Sequence, residues 1–95
     1  MITRFVKLTL QTPHIETFKA QFIAVNKQIE AMPGCHSVVL LQDENNPAVF
    51  FTHSKWDSED ALNAYRKSDL FIKTWAIVKP FFVERAEAWT LLQQS

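Results

Sequence analysis

The sequence predicts an α+β domain with the element order β-α-β-β-α-β, and three observations carry that expectation. Residues 2–10 and 48–56 alternate in character and are rich in β-branched and aromatic types, as half-buried strands are. Between them, Ile15, Phe18, Phe22, Val25, Ile29 and Met32 recur at steps of three and four, the spacing of one apolar helix face. Only one Gly and four Pro occur in 95 residues, so each marks an element boundary.

Taken in order, Ile2 to Leu10 form the first expected strand. Thr12-Pro13 then offers an N-cap followed by proline at the first helical position, where its missing N–H costs nothing. The helix that follows places Glu16, Lys19, Lys27 and Glu30 between its apolar positions and stops at Pro33-Gly34. Cys35 to Gln42 read as a second strand. The polar run Asp43-Glu44-Asn45-Asn46-Pro47 supplies the turn into a third, Ala48 to Trp56, so that the two form a hairpin. Asp57 or Ser58 can cap a short helix through Ala61, Leu62 and Tyr65. Ser68 can cap another through Leu70, Phe71, Trp75 and Val78, which Pro80 limits. A last strand is expected over Phe82 to Leu92, with Val83, Trp89 and Leu91 at odd positions.

This order is the ferredoxin-like, or split βαβ, arrangement, in which an antiparallel sheet carries its helices on one face. One domain spanning residues 1–95 is expected, since smaller pieces could not bury a core. Strand three carries large apolar groups on both sides, Phe51 and His53 opposite Phe50 and Trp56, so the face without helices also needs a cover. A second copy of the same sheet is the simplest one, giving a homodimer with a barrel-like core, a dimeric α+β barrel.

Ten Lys plus Arg balance ten Asp plus Glu, scattered singly or in pairs, which recommends neither nucleic acid nor an anionic membrane as a partner. No run approaches the ~18 apolar residues of a bilayer span, and the N-terminus alternates instead of forming a signal-peptide block. A soluble, cytoplasmic protein is expected. Cys35 is alone and reads as a small apolar residue packed near the core.

The succession Pro33-Gly34-Cys35, Asn46-Pro47, Phe50-Phe51, Trp56-Asp57-Ser58-Glu59-Asp60-Ala61-Leu62 and Ser68-Asp69-Leu70-Phe71 resembles the antibiotic biosynthesis monooxygenase (ABM) family, and the similarity covers nearly the whole chain. The resemblance implies a dimeric α+β barrel with one pocket per subunit between sheet and helices. Some members are cofactor-independent monooxygenases of polycyclic phenols and quinols, others degrade haem, and others isomerise small phosphorylated molecules, so the family alone does not fix the reaction. Haem degraders use an Asn, a Trp and a ligand His at the places held here by Val6, Tyr65 and Trp75. The missing ligand argues against haem chemistry. Trp56 matches a pocket Trp of the monooxygenase type, whereas Thr52 stands where polyketide oxygenases have Asn, and Tyr65 where many members have His.

Catalysis without a cofactor requires a base, a donor for the developing oxyanion and a pocket that excludes water. The expected catalytic set is Tyr65 as donor and His53 as a possible base, with Arg4 or a histidine stabilising the anion. Trp56, Phe50, Thr52, Val6, Phe71 and Trp75 form the expected wall around an apolar aromatic small molecule. Each has a structural alternative: Tyr65 as a core aromatic, Trp56 as core, Arg4 as a surface residue at the strand end, and His53 as a partner-facing residue on the side of strand three away from Trp56. His36 could face the helices, and His14 is expected to be solvated. No metal-ligand spacing or Gly-rich nucleotide loop occurs, so no cofactor is expected. The competing function is a non-catalytic or non-oxidative dimeric binding domain of the same fold.

Overall fold

A computed structural model describes residues 1–95. Four strands, β1 (Ile2–Thr9), β2 (Cys35–Gln42), β3 (Val49–Trp56) and β4 (Glu87–Leu91), form one antiparallel sheet in the order β2-β3-β1-β4. Helices α1 (Ile15–Glu30), α2 (Glu59–Arg66) and α3 (Asp69–Val78) supply the second layer. This is the ferredoxin-like order expected from the sequence. No helix is long and apolar enough to cross a membrane.

Strand alternation decides what meets the helices. On β3 the even-numbered Phe50, Ser54 and Trp56 are buried, and β1 and β2 add Ile2, Leu8 and Val38. Phe18, Phe22, Val25 and Ile29 from α1, Leu62 from α2 and Val78 from α3 pack against them. The core divides into two clusters. One surrounds Trp56 with Ile2, Phe22, Val25, Ile29, Val38 and Leu62. The other gathers Leu8, Leu10, Phe18, Phe50 and Val78 toward the opposite end of β3.

Gly34 sets the entry into β2 and the seat of α2. Its φ of +82° lies in the left-handed region, and a Cβ there would come within 2.6 Å of the Ala61 Cβ. Its carbonyl accepts from the Asp57 N–H at 2.8 Å, tying the end of β3 to the same corner. The hairpin turn is held by Asp43, whose carboxylate accepts from the Asn45 and Asn46 N–H groups, and by Asn46, which accepts from Ala48.

Four boundaries differ from the sequence expectation. Strand β1 ends at Thr9, one residue early, with Leu10 outside it. Thr12-Pro13-His14 form a separate 3-10 turn, α1 starts at Ile15, and no side chain caps it. Gln11 instead reaches across to the Pro80 carbonyl at 3.1 Å. Strand β3 begins at Val49, one residue late, because Ala48 is held in the turn by Asn46. The last strand is shorter, Glu87–Leu91 in place of Phe82 to Leu92. Phe82 makes only an isolated bridge to Leu10, after which Val83 to Ala86, four residues, lie opposite two of β1, Leu8 and Thr9. The chain bulges there. Ser58, not Asp57, caps α2 by accepting from Ala61, while Asp57 pairs with His36.

Candidate functional site

Between sheet and helices lies a cavity of about 350 Å³. Its floor is the helix-facing side of the sheet: Arg4, Val6 and Leu8 on β1, Val38 on β2, Thr52, Ser54 and Trp56 on β3, and Ala88 on β4. No helix covers β4 as α1 covers β2, and the two small residues Ala86 and Ala88 leave that end open.

The helical wall is an aromatic ladder. Trp56 stacks on Tyr65 at 5.0 Å between ring centroids, Tyr65 meets Phe71 edge-on at 5.2 Å, and Phe71 stacks on Trp75 at 5.8 Å. Local sequence sets this order. Tyr65 lies one turn after the buried Leu62 on α2, and Phe71 and Trp75 are four apart on α3, so all three project to the sheet side. Ser68 fixes the joint between the two helices, accepting from the Phe71 N–H and donating to the Tyr65 carbonyl at 2.6 Å. Trp56 is fully buried, and its indole N–H donates to Ser54 Oγ at 2.9 Å. Trp56 therefore backs the wall from behind Tyr65 and offers the cavity neither a donor nor an open ring face.

Polar groups are few and have distinct environments. The Tyr65 hydroxyl makes no hydrogen bond within the chain, and burial, with the nearby Cys35 thiol adding, pushes its pKa up to about 12. It is a protonated donor at any ordinary pH. Arg4 Nη1 donates to Thr90 Oγ1 across the β1–β4 pair at 2.9 Å. Burial, and then the like charge of Arg66, lower the pKa of Arg4 from that of a free guanidinium. No His, Asp or Glu lines the cavity, and no three metal-ligating side chains of the chain come together.

The structure thus brings together Arg4, Val6, Thr52, Trp56, Tyr65, Phe71 and Trp75. Two expected residues are elsewhere. Phe50 has the right parity but sits in the closed cluster, 2% exposed and 5.5 Å from the ring of Phe18, with Leu8, Leu10 and Val78 sealing it off. His53 lies on the opposite face of the sheet, stacked on Phe5 at 4.6 Å. His36 is exposed beside Asp57, and His14, expected in solvent, stacks on Phe81. Sequence reasoning missed Arg66, Gln21 and Thr74. Arg66 is one turn beyond Leu62 on the apolar side of α2, and Thr74 is three residues after Phe71 on α3, so helical spacing was the signal for both.

The fold and the site together define a ferredoxin-like α+β protein with an aromatic-walled cavity between its sheet and its helices. The family model described as antibiotic biosynthesis monooxygenase matches residues 1–76, from β1 through most of α3. The chain belongs to that family. Among solved structures, an antibiotic biosynthesis monooxygenase superposes with a TM-score of 0.93 at 13% identity, over 100% of both chains. A conserved protein from Methanosarcina mazei Go1 gives 0.92 at 17% identity, over 99% of this chain and 94% of its own. A protein from Mycobacterium tuberculosis gives 0.90 at 16%, over 99% and 95%. At such identities the likeness establishes the fold. Among curated proteins none matches the chain.

Proposed function

We propose that this protein is a cofactor-independent monooxygenase of a small, easily deprotonated phenol or quinol, bound between the sheet and the helices of each subunit of a homodimer. The observation that carries the reading is the Tyr65 hydroxyl, a protonated donor at ordinary pH without a partner in the chain, in a cavity that Arg4 also lines and that Trp56, Phe71 and Trp75 wall. Val6 and Thr52 complete the floor.

The substrate supplies the electrons. In the keto tautomer of such a phenol, as in an anthrone, the ring CH₂ loses a proton to solvent at the cavity mouth, and its anion reduces dioxygen by four electrons in all. One oxygen atom becomes the new carbonyl and the other leaves as water, taking up both hydrogens of the CH₂ group. With no imidazole or carboxylate in the lining, the protein's part is to make the substrate more acidic. Tyr65 donates to the developing oxyanion, the Arg4 charge favours the ionised form, and the apolar wall keeps water from competing for both.

The same lack of a base favours a second reading, a domain that binds an aromatic molecule without transforming it. Oxygen consumption by metal-free protein over a panel of hydroquinones, naphthols and anthrones separates the two. The monooxygenase reading expects uptake above the spontaneous rate for at least one class, reduced in Tyr65→Phe and in Trp56→Phe. Uptake no faster than spontaneous autoxidation, or equal in all three proteins, contradicts it and leaves the binding domain.

A further inference from the structure

Basic and acidic residues balance over the whole chain, ten against ten, yet the cavity holds only one sign. Arg4, Arg66 and Tyr65 are its ionisable residues, without a carboxylate among the lining. Neither arginine has a carboxylate within ion-pair distance, since the chain's ion pairs are Lys19 with Glu16 and His36 with Asp57. The two come from different elements, Arg4 from the sheet floor on β1 and Arg66 from the last turn of α2, so the topology and not sequence proximity brings them to one place. They are close enough for the charge of Arg66 to lower the proton affinity of Arg4.

Arg4 is partly buried and bears a desolvation cost without a counter-charge, and the exposed Arg66 at the cavity mouth adds a like charge that repels it. An anion between them removes both penalties. Thr90 orients Arg4 through one N–H and leaves the other donors of the guanidinium fork unused by side chains of the protein. That fork fits the two oxygens of a carboxylate. On the apolar side, about 350 Å³ is at the small end of ligand cavities and suits a body of two or three fused rings.

We propose that the natural ligand is an aromatic acid, its permanent carboxylate held between Arg4 and Arg66 and its fused rings laid along Tyr65, Phe71 and Trp75. This deepens the monooxygenase reading by naming the substrate class, and it rests on that reading only for the place where the ligand binds. The carboxylate is a separate group from the reacting phenol: it anchors the molecule at the arginines and leaves the Tyr65 hydroxyl for the oxygen that develops charge.

The test compares two probes that cannot be oxygenated as phenols, anthracene-9-carboxylate and the neutral anthracene-9-methanol, with binding followed by probe fluorescence and by quenching of the cavity tryptophans. The carboxylate should bind at least about tenfold more tightly, as charge-assisted pairing to guanidinium provides, and the margin should narrow as salt is raised. Arg4→Gln and Arg66→Gln should each reduce the margin and together abolish it, while the methanol keeps its wild-type affinity and so reports an intact cavity. Equal affinity of the two probes for wild type, or a margin that survives in the double variant, overturns the aromatic-acid assignment and leaves the cavity reading standing. Failure of both probes to bind overturns the two together.

Discussion

The Tyr65 ring stacks on Trp56 and takes Phe71 edge-on, whereas its hydroxyl bonds to nothing in the chain. Tyr65→Phe therefore keeps the packing and removes only the donor. Oxygenation of a responsive substrate should fall by roughly ten- to a thousandfold, the range of other oxyanion donors, with no change in fold by circular dichroism. The same residue makes a prediction about pH. Burial holds the Tyr65 proton up to about 12, while an unfolded tyrosine releases it near 10, so between those values the folded chain binds more protons than the unfolded one. The stabilisation is complete below about pH 10 and is lost as pH rises toward 12. Urea midpoints of wild type and Tyr65→Phe should diverge there, wild type losing up to about 1 kcal/mol per pH unit relative to the variant. A constant difference across that range would contradict the assignment. At this scale the sequence was a good guide to side, since parity along β1 and β3 put Arg4, Val6, Thr52 and Trp56 on the helix face. It was a poor guide to position along the layer. Nothing in the alternation of β3 distinguishes Phe50, sealed under Phe18 and Val78, from Thr52, which faces open space.

Among elements, the two most sensitive joints are the turn into β2 and the break between α2 and α3. Gly34→Ala would place a β-carbon at a positive φ and within 2.6 Å of Ala61, on backbone that cannot move without shifting α2. We expect a loss of at least about 2 kcal/mol in urea unfolding, combining the left-handed penalty with the clash. A cost within error of zero would mean that α2 does not rest on this turn. Ser68→Ala removes the cap of α3 and the bond back to the Tyr65 carbonyl, and should cost about 1 kcal/mol. It should also weaken probe binding, because Tyr65 and Phe71 would lose their common anchor. The elements themselves were legible from periodicity and caps: β2 has its expected bounds, and Ser58 and Ser68 cap as the spacing suggested. Both ends of the segment after Pro80 were not. Phe82 and Val83 continue an apolar pattern, but the 3-10 turn at Lys79–Phe81 turns Phe82 toward Trp75, and the following bulge consumes residues that alternation alone assigns to a strand. The Thr12 cap failed for a related reason, as tertiary contacts from Gln11 to Pro80 replaced the local one.

For the whole molecule, the sheet face away from the helices presents one row of Val39, His53, Phe5 and Trp89 across all four strands, flanked by Leu41, Phe51 and Leu91. Val39, Trp89, Leu41 and Leu91 are each more than 40% exposed in the single chain, and apolar residues gathered on one face in this way mark an interaction surface. In the homodimer we propose, a second copy packed sheet to sheet covers it, and sedimentation at micromolar concentration should give twice the 11.0 kDa chain mass. Phe5→Glu, which sets a carboxylate in the centre of the row, should return the mass to 11.0 kDa. A wild type that sediments as a folded monomer would contradict the homodimer. The proposed monooxygenase chemistry, in turn, requires that the chain's cavity move one atom of dioxygen into an organic product. Incubation of the metal-free protein with an anthrone under ¹⁸O₂, followed by mass spectrometry of the quinone formed, measures this directly. One labelled oxygen is expected in the product, formed faster than without protein and more slowly with Tyr65→Phe. Labelled quinone formed at the protein-free rate, or a quinone without label, would contradict it.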